Sequence, residues 1–340
     1  MKIAIISYSK KGRALSERLE AGLSDCETLK YVPKRLSDGG FLPIDDTSSA
    51  LYKRLFFDMD ALIFIGSCGI AVRCIAPYVS DKRTDPAVIV ADELGRFVIP
   101  ILSGHIGGAN ALSERIAEII RAVPVITTAT DINGRFSPDE WAVKNGFIID
   151  DISLSKTVSA AVLEGDVPVA SDFPVKSAYP AGICEGRSGG TGILISYKTG
   201  EKPFSKTLRL IPRVLHVGVG CKKGTSAEAI EAAVEGVFKA HAIDMRAIKQ
   251  FSTIDIKGNE AGLLEYCRKA GKPLVTYTAG ELSSLSGEFS SSDFVKSVTG
   301  VDNVCERAAM MGAKALIVKK TACGGVTVAV AEEIREVRFE

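Results

Sequence analysis

The sequence predicts an α/β protein: two α/β domains with mostly parallel sheets, joined by a small α+β middle domain. Three observations lead there. Short aliphatic and β-branched runs such as 61–65 (ALIFI) and 87–91 (AVIVA) alternate with helix-length amphipathic stretches, the signature of strands buried on both faces. That rhythm breaks near residue 136, where Gly-, Pro- and Ser-rich turns separate short strands, and resumes at residue 214. A chain of 340 residues also has room for two or three cores. The boundaries so placed are 1–135, 136–212 and 213–340.

In the first domain, residues 2–7 read as a strand and 12–22 as a helix, with a second strand at 28–32. Residues 33–47 form an irregular loop and 51–58 a helix. The strand at 61–65 runs into Gly66-Ser67-Cys68-Gly69 and a helix start through Ile75. A charged loop (Lys82-Arg83-Thr84-Asp85) precedes the strand 87–91, and Asp92-Glu93-Leu94-Gly95-Arg96 turns tightly into the strand 97–102. A glycine-rich loop, Ser103 to Asn110, leads to a helix over 111–120, and a second buried strand follows at 123–127 before Thr128-Ala129-Thr130-Asp131. In the middle domain a helix at 155–164 is followed by strands near 167–170, 192–196 and 207–211. The last domain reads as a strand at 214–219, a helix at 227–240, a strand at 247–251, a helix at 260–270, a strand at 273–277 and a helix at 301–311. Two adjoining strands, 315–319 and 326–331, close it.

Composition narrows the class. Forty-two basic residues against 41 acidic give a net charge of +1, so no broad basic field points to nucleic acid or an anionic membrane. No apolar run reaches bilayer-spanning length, and the first strand is too short to be a secretory signal. Eight cysteines show neither a C-x-x-C pair nor zinc spacing, which predicts reduced, mostly buried thiols and a cytoplasmic protein. The three histidines, His105, His216 and His241, never stand at i, i+4 spacing, so no metal site is expected.

The most site-like stretch is 97–131. A strand, a loop with three glycines and a helix start together offer unpartnered amides to an anion, and the loop carries His105. Glycines there can equally be plain turn chemistry, and a lone histidine can be structural. Residues 218–224 (GVGCKKG) space their glycines one residue too long for a dinucleotide fingerprint, and no acid ends the next strand. Nor is it a P-loop, since Thr225 rather than Lys follows Gly224. A glycine loop with Lys222 and Lys223 at a helix start remains, suited to a carboxylate or phosphate. Cys221 beside them reads as an inert thiol. The loops at Gly66, Asp92, Ser103 and Thr128 are candidates for the carboxyl edge of the sheet, where ligands bind in such folds, except that a tight turn need not lie on the same side.

The segments 66–73 (GSCGIAVR), 81–90 (DKRTDPAVIV), 102–110 (LSGHIGGAN), 125–131 (VITTATD) and 217–225 (VGVGCKKGT) resemble the CbiG family, the cobalt-precorrin 5A hydrolases of anaerobic cobalamin biosynthesis. The likeness extends over nearly the whole chain; Cys68 and Cys305-Glu306-Arg307 depart from the residues expected of the family. The resemblance implies opening of a δ-lactone on a ring-contracted cobalt-tetrapyrrole and release of acetaldehyde, with cobalt arriving on the substrate and no cofactor held by the protein. For that chemistry His105 is assigned as the base for water, and the amides of Gly104, Gly107 and Gly108 as oxyanion donors. Asp85, Glu93 and Asp131 are unranked candidates for the second proton acceptor. Arg73, Lys82 and Lys222 are the cations for the substrate's carboxylate arms. Gly66, Gly69, Ser103, Asn110, Thr128, Gly220, Cys221 and Thr225 complete the expected binding set. The rival reading is a non-catalytic corrinoid-intermediate carrier. The partners left open are a homodimer and passing contact with neighbouring pathway enzymes.

Overall fold

A computed structural model describes residues 1–44, 48–81 and 84–339. The chain divides into two compact units, Met1–Trp141 and Ala142–Glu340. In chain order the first unit comprises β1 (Lys2–Ser7), α1 (Lys10–Gly22), β2 (Glu27–Pro33), β3 (Leu42–Ile44), α2 (Ser48–Asp58), β4 (Ala61–Ile65), α3 (Cys68–Ile75), β5 (Ala87–Ala91), β6 (Phe97–Leu102), α4 (Ala109–Ile120), β7 (Val123–Pro124) and α5 (Ala129–Ile132). A further helix, α6 (Pro138–Lys144), spans the boundary.

Seven strands form one sheet in the order β3-β2-β1-β4-β5-β6-β7, parallel except between β5 and β6. Strand alternation divides its core between two faces. Ile3, Ile5, Ile63 and Ile89 pack with Leu15 and Leu19 of α1 and Ile116 of α4. Ile6, Leu62, Phe64 and Val90 pack on the other face with Leu55 of α2 and Ile75 of α3. Each such aliphatic side chain, fully buried, contributes about 1.5–3 kcal/mol. The doubly covered sheet expected from the sequence is present.

The reversal at β6 has a local cause. The Asp92 carboxylate accepts the amides of Leu94, Arg96 and Phe97 at 2.9, 2.8 and 2.7 Å, and Gly95 takes φ +66°. Burial works to raise this group's pKa, but the three donated amides and the nearby Arg96 outweigh it and hold Asp92 below the usual carboxylate range. A pKa lowered on folding stabilises the fold above the unfolded value and ceases to do so as pH falls through the folded one. Asp92→Ala should therefore cost about 1 kcal/mol near neutrality. The gap from the parent protein should begin to narrow below about pH 4 and close as the pH falls through the lower, folded value. Urea titrations of both proteins at pH 7 and about pH 2.5 check this; an equal gap at both would refute it.

Two expectations need correction here. The strand placed at 123–127 shrinks to Val123–Pro124, and Val123 is 56% exposed, because β7 is the outermost strand of the sheet. Because β6 runs against β5, and β7 follows β6, the Ser103 and Thr128 loops leave the sheet at the edge opposite Gly66 and Asp92. The four loops do not share one edge.

The second unit continues with β8 (Phe147–Ile149), α7 (Ile152–Glu164), β9 (Val167–Ser171), β10 (Ile183–Glu185), β11 (Gly189–Ile195), β12 (Phe204–Pro212), β13 (Leu215–Cys221), α8 (Ala227–Ala240), β14 (Ile248–Ile254), α9 (Ala261–Ala270), β15 (Leu274–Tyr277), α10 (Ala279–Ser284), α11 (Asp293–Thr299), α12 (Val304–Met310), β16 (Ala315–Cys323) and β17 (Val326–Glu332). It holds two five-stranded sheets, ordered β10-β9-β11-β12-β8 and β15-β14-β13-β17-β16. Arg209 of β12 pairs with Asp150 and Asp244 at 3.3 and 2.7 Å, and Arg246 also reaches Asp244 at 2.8 Å. These ion pairs tie the two sheets into one unit. Among the described residues no helix is long and apolar enough to cross a membrane. All eight cysteines are free, as expected. Only Cys267 and Cys305 are fully buried, though, and Cys323 is exposed.

Candidate active site

The loop after β6 is folded by close approaches that only glycine permits. Asn110 is buried at the start of α4, and its side-chain oxygen lies 2.8 Å from where a Cβ on Gly104 would be. A Cβ on Gly107 would sit 2.4 Å from that of Ser103. The loop then closes on the helix: Ala109 N–H donates to the Ser103 carbonyl at 3.1 Å and Asn110 N–H to the Gly104 carbonyl at 3.0 Å. Gly108 N–H donates to the His105 carbonyl at 2.9 Å. The first two amides of α4 are thus taken by its own loop, which closes part of the anion cradle that the sequence predicts. Of the three proposed oxyanion amides, Gly108 is committed elsewhere, which leaves Gly104 and Gly107.

That loop geometry presents His105 with a carboxylate toward each ring nitrogen. On one side Nε2 lies 3.1 Å from Asp131 Oδ2 and 3.2 Å from Thr130 Oγ1. Asp131 is held in place by the Asn110 amide at 2.9 Å, which also donates to Thr128 Oγ1 at 3.0 Å. On the other side Nδ1 lies 3.3 Å from Ser137 Oγ and 3.7 Å from Asp139 Oδ1, and Ser137 donates to that same Asp139 oxygen at 3.1 Å. His105 and Asp139 are largely buried, their side chains 16% and 6% exposed, while Asp131 is 30% exposed. A histidine so placed can take a proton at one nitrogen while the other is held by the opposite hydrogen bond. A cleft of about 200 Å³ opens here, lined by Ser103, Gly104, His105, Ile106, Thr128 and Asp139. Sites for whole small-molecule ligands usually measure about 300–1,000 Å³, so this one fits a reacting substituent rather than a macrocycle.

The remaining predicted residues fall elsewhere. Asp85 is buried beside the loop, where its carbonyl accepts Ser103 Oγ at 3.0 Å, but its carboxylate is engaged by the Ser80 amide and hydroxyl at 3.0 and 3.2 Å. Glu93 lies at the opposite sheet edge, accepting Ser9 Oγ at 2.6 Å. Gly66, Gly69 and Arg73 follow β4 at that same edge, Gly66 donating to the Ala91 carbonyl at 2.9 Å and Arg73 being exposed. The structure therefore separates Glu93 and Arg73 from His105. Lys82 lies outside the described residues.

Gly220, Cys221, Lys222 and Thr225 belong to the second unit. The far end of the loop after β13 is engaged by the protein itself: Gly224 N–H donates to Glu260 Oε1 at 2.6 Å, and Thr225 Oγ1 to the Lys222 carbonyl at 2.8 Å. An anion is already present where the sequence predicts an anion-binding loop. Burial pushes the Cys221 thiol up despite Lys257 nearby, in keeping with an unreactive thiol.

Sequence reading missed Thr130, Ser137, Asp139 and Glu140. A signal was present in Ser137-Pro138-Asp139-Glu140, which has the chemistry of a helix start and does begin α6. His105, Asp131 and Glu140 each offer a ligand atom within 4.8 Å of the others, a grouping able to hold a metal ion. Histidine spacing alone could not reveal it, because its members come from the loop after β6 and from the separate helices α5 and α6.

Comparison with known proteins gives the arrangement a family. Residues 50–131 match the model for the cobalamin synthesis G N-terminal region, and residues 215–331 that for the cobalamin synthesis G C-terminus. A cobalt-precorrin-5A hydrolase of Priestia megaterium is 37% identical over 302 residues, 83% of this chain and 80% of that one. A protein of the same name from Salmonella typhimurium strain LT2 is 32% identical over 333 residues, 91% of each chain. The solved structure of a cobalamin biosynthesis protein G homolog from Sulfolobus solfataricus aligns over 97% of both chains at 21% identity and a TM-score of 0.40. The chain belongs to the cobalamin synthesis G (CbiG) family.

Proposed function

We infer that this chain is a cobalt-precorrin-5A hydrolase that works from the His105 cleft. The observation that carries the site is the histidine itself: a carboxylate lies toward each of its ring nitrogens, at the mouth of a cleft sized for a substituent. The reaction needs two proton transfers. His105 removes a proton from water as it attacks the lactone carbonyl, and the Gly104 and Gly107 amides receive the developing oxyanion. Collapse of that intermediate opens the ring to a carboxylate and a carbinol. Loss of the carbinol proton then breaks the carbon–carbon bond, releases acetaldehyde and leaves the electron pair in the macrocycle. Asp131, hydrogen-bonded to Nε2 and part-exposed, is the acceptor for that second proton; Asp85 and Glu93 are tied to Ser80 and Ser9. A cytoplasmic, cofactor-free enzyme, dimeric or in passing contact with its pathway neighbours, belongs to the same reading.

The test is anaerobic incubation of the pure protein with cobalt-precorrin 5A, trapping acetaldehyde. One acetaldehyde per lactone opened is expected, whereas corrinoid binding without acetaldehyde would overturn the hydrolase in favour of a carrier. The same assay examines the His105, Asp131 and Glu140 grouping. With cobalt supplied by the substrate, dialysis against EDTA should leave the rate within about twofold of the untreated enzyme. A loss of more than about tenfold, restored by one divalent ion, would show that a protein-bound metal activates the water.

A further inference from the structure

The second unit has a cavity of its own. It is about 480 Å³ in volume and lies at the carboxyl ends of β13 and β14, beside the turn that joins β16 to β17. Ile254, Val295, Val298, Val304 and Val326 give it apolar walls, and Lys222, Lys223, Lys257 and Lys320 its charge. The walls are built firmly. Asn303, which also lines the cavity, donates to the Glu306 carboxylate at 2.9 Å, as do the Ser290 hydroxyl at 2.9 Å and the Lys320 amide at 2.7 Å; Glu306 is 1% exposed. The stem of Lys222 is laid over Gly325, where a Cβ would meet its methylenes at 3.5–3.8 Å. Lys257 pairs with Glu260 at 3.1 Å, but Lys222 and Lys320 pair with no carboxylate among the described residues.

Apolar walls together with lysines that have no carboxylate partner among the described residues match a flat apolar ring edged with carboxylates. We propose that this cavity binds the acidic rim of a polycarboxylate tetrapyrrole, its ring edge against the valines and its carboxylates on Lys222 and Lys320. The proposal rests on the reading of the chain as a cobalt-precorrin hydrolase, which puts such molecules on both sides of the reaction. The product carries one carboxylate more than the lactone, so substrate and product share the chemistry that the cavity recognises.

The experiment titrates the full-length protein with uroporphyrin III, an available octacarboxylate, and with its octamethyl ester, following the Soret band. The acid should bind at least about tenfold more tightly than the ester, and Lys222→Ser/Lys320→Ser should weaken binding of the acid by about tenfold or more. Val298→Asp, on an exposed position of α11, should do the same through the wall, while His105→Ala should bind as the parent does. Equal binding of acid and ester, or lysine and Val298 variants that bind like the parent, would overturn the proposal. Competition separates the two sources. Displacement of the probe by cobalt-precorrin 5A marks a substrate site and displacement by the lactone-opened product alone a product site; displacement by neither refutes the cavity as a tetrapyrrole site. Failure of the parent protein to release acetaldehyde would strike the hydrolase reading instead, and leave the binding results to stand or fall separately.

Discussion

Replacing His105 by alanine should lower the rate of acetaldehyde release by about 10³-fold, within the range that general acid–base catalysis supplies. The expectation comes from where the ring sits. Nε2 is 3.1 Å from Asp131 and Nδ1 is 3.3 Å from Ser137, whose hydroxyl donates to Asp139 at 3.1 Å, so a proton taken at either nitrogen meets a carboxylate. Alanine leaves the lactone in the cleft with no base. Asn110 keeps Asp131 in place in the variant, because its bonds to Asp131 and Thr128 do not involve the ring. The loss should therefore fall on kcat with KM little changed. His105→Gln, which can hydrogen-bond but cannot take up a proton, should be as slow as alanine. Single-turnover acetaldehyde release measures both, and a variant that retains more than about a tenth of the parent rate would remove His105 as the base.

The parts of this arrangement legible in the sequence are those fixed by local chemistry. Short apolar runs bounded by turn residues located β4, β5 and β6 to the residue, since β4 and β5 are buried throughout, and helical periodicity located α8 in full, since its buried residues share one face. His105 stood out because a polar glycine loop is a poor place for an idle imidazole. The partners of the histidine were hidden by topology. Asp131 and Asp139 approach it only because β6 reverses against β5 and sends the loops after β6 and β7 to the same edge, and nothing in residues 103–110 encodes that. Glu93 lies away from the histidine for the same reason in reverse. It is near in sequence to the strand that carries His105, but leaves the sheet at the other end. In the loop after β13 a distant segment intervenes in the same way: the Gly224 amide, open to an anion by sequence, is taken by Glu260 from the segment just before α9, while the Lys222 side chain is left without a carboxylate among the described residues.

Gly218→Ala should cost about 3 kcal/mol of stability, at the upper end of what overpacking a core does. A Cβ at this position would lie 1.8 Å from the Cys305 carbonyl oxygen and 2.8 Å from the Ala309 nitrogen, both backbone atoms of α12. No rotamer change relieves such a contact; the helix must move away from β13. By sequence, Gly218 looks like the first glycine of a nucleotide loop. Its physical role is to let α12 lie directly on the central strand of the sheet, with Ala308, Ala309 and Ala329 as the small residues that complete the approach. Since α12 carries Val304 and Cys305 into the lysine-rimmed cavity, displacing it should also weaken uroporphyrin binding while leaving the His105 cleft of the first unit intact. Hydrogen exchange across a urea series should show residues 293–332 losing protection at lower urea in the variant, with peptides from residues 97–131 unchanged. Gly220→Ala is the control, because there the added carbon meets only the Thr327 side chain at 2.5 Å, which can rotate. If Gly218→Ala were no more harmful than Gly220→Ala, the close packing of α12 on β13 would not be what the glycine is for, and a role for its backbone in ligand binding would return.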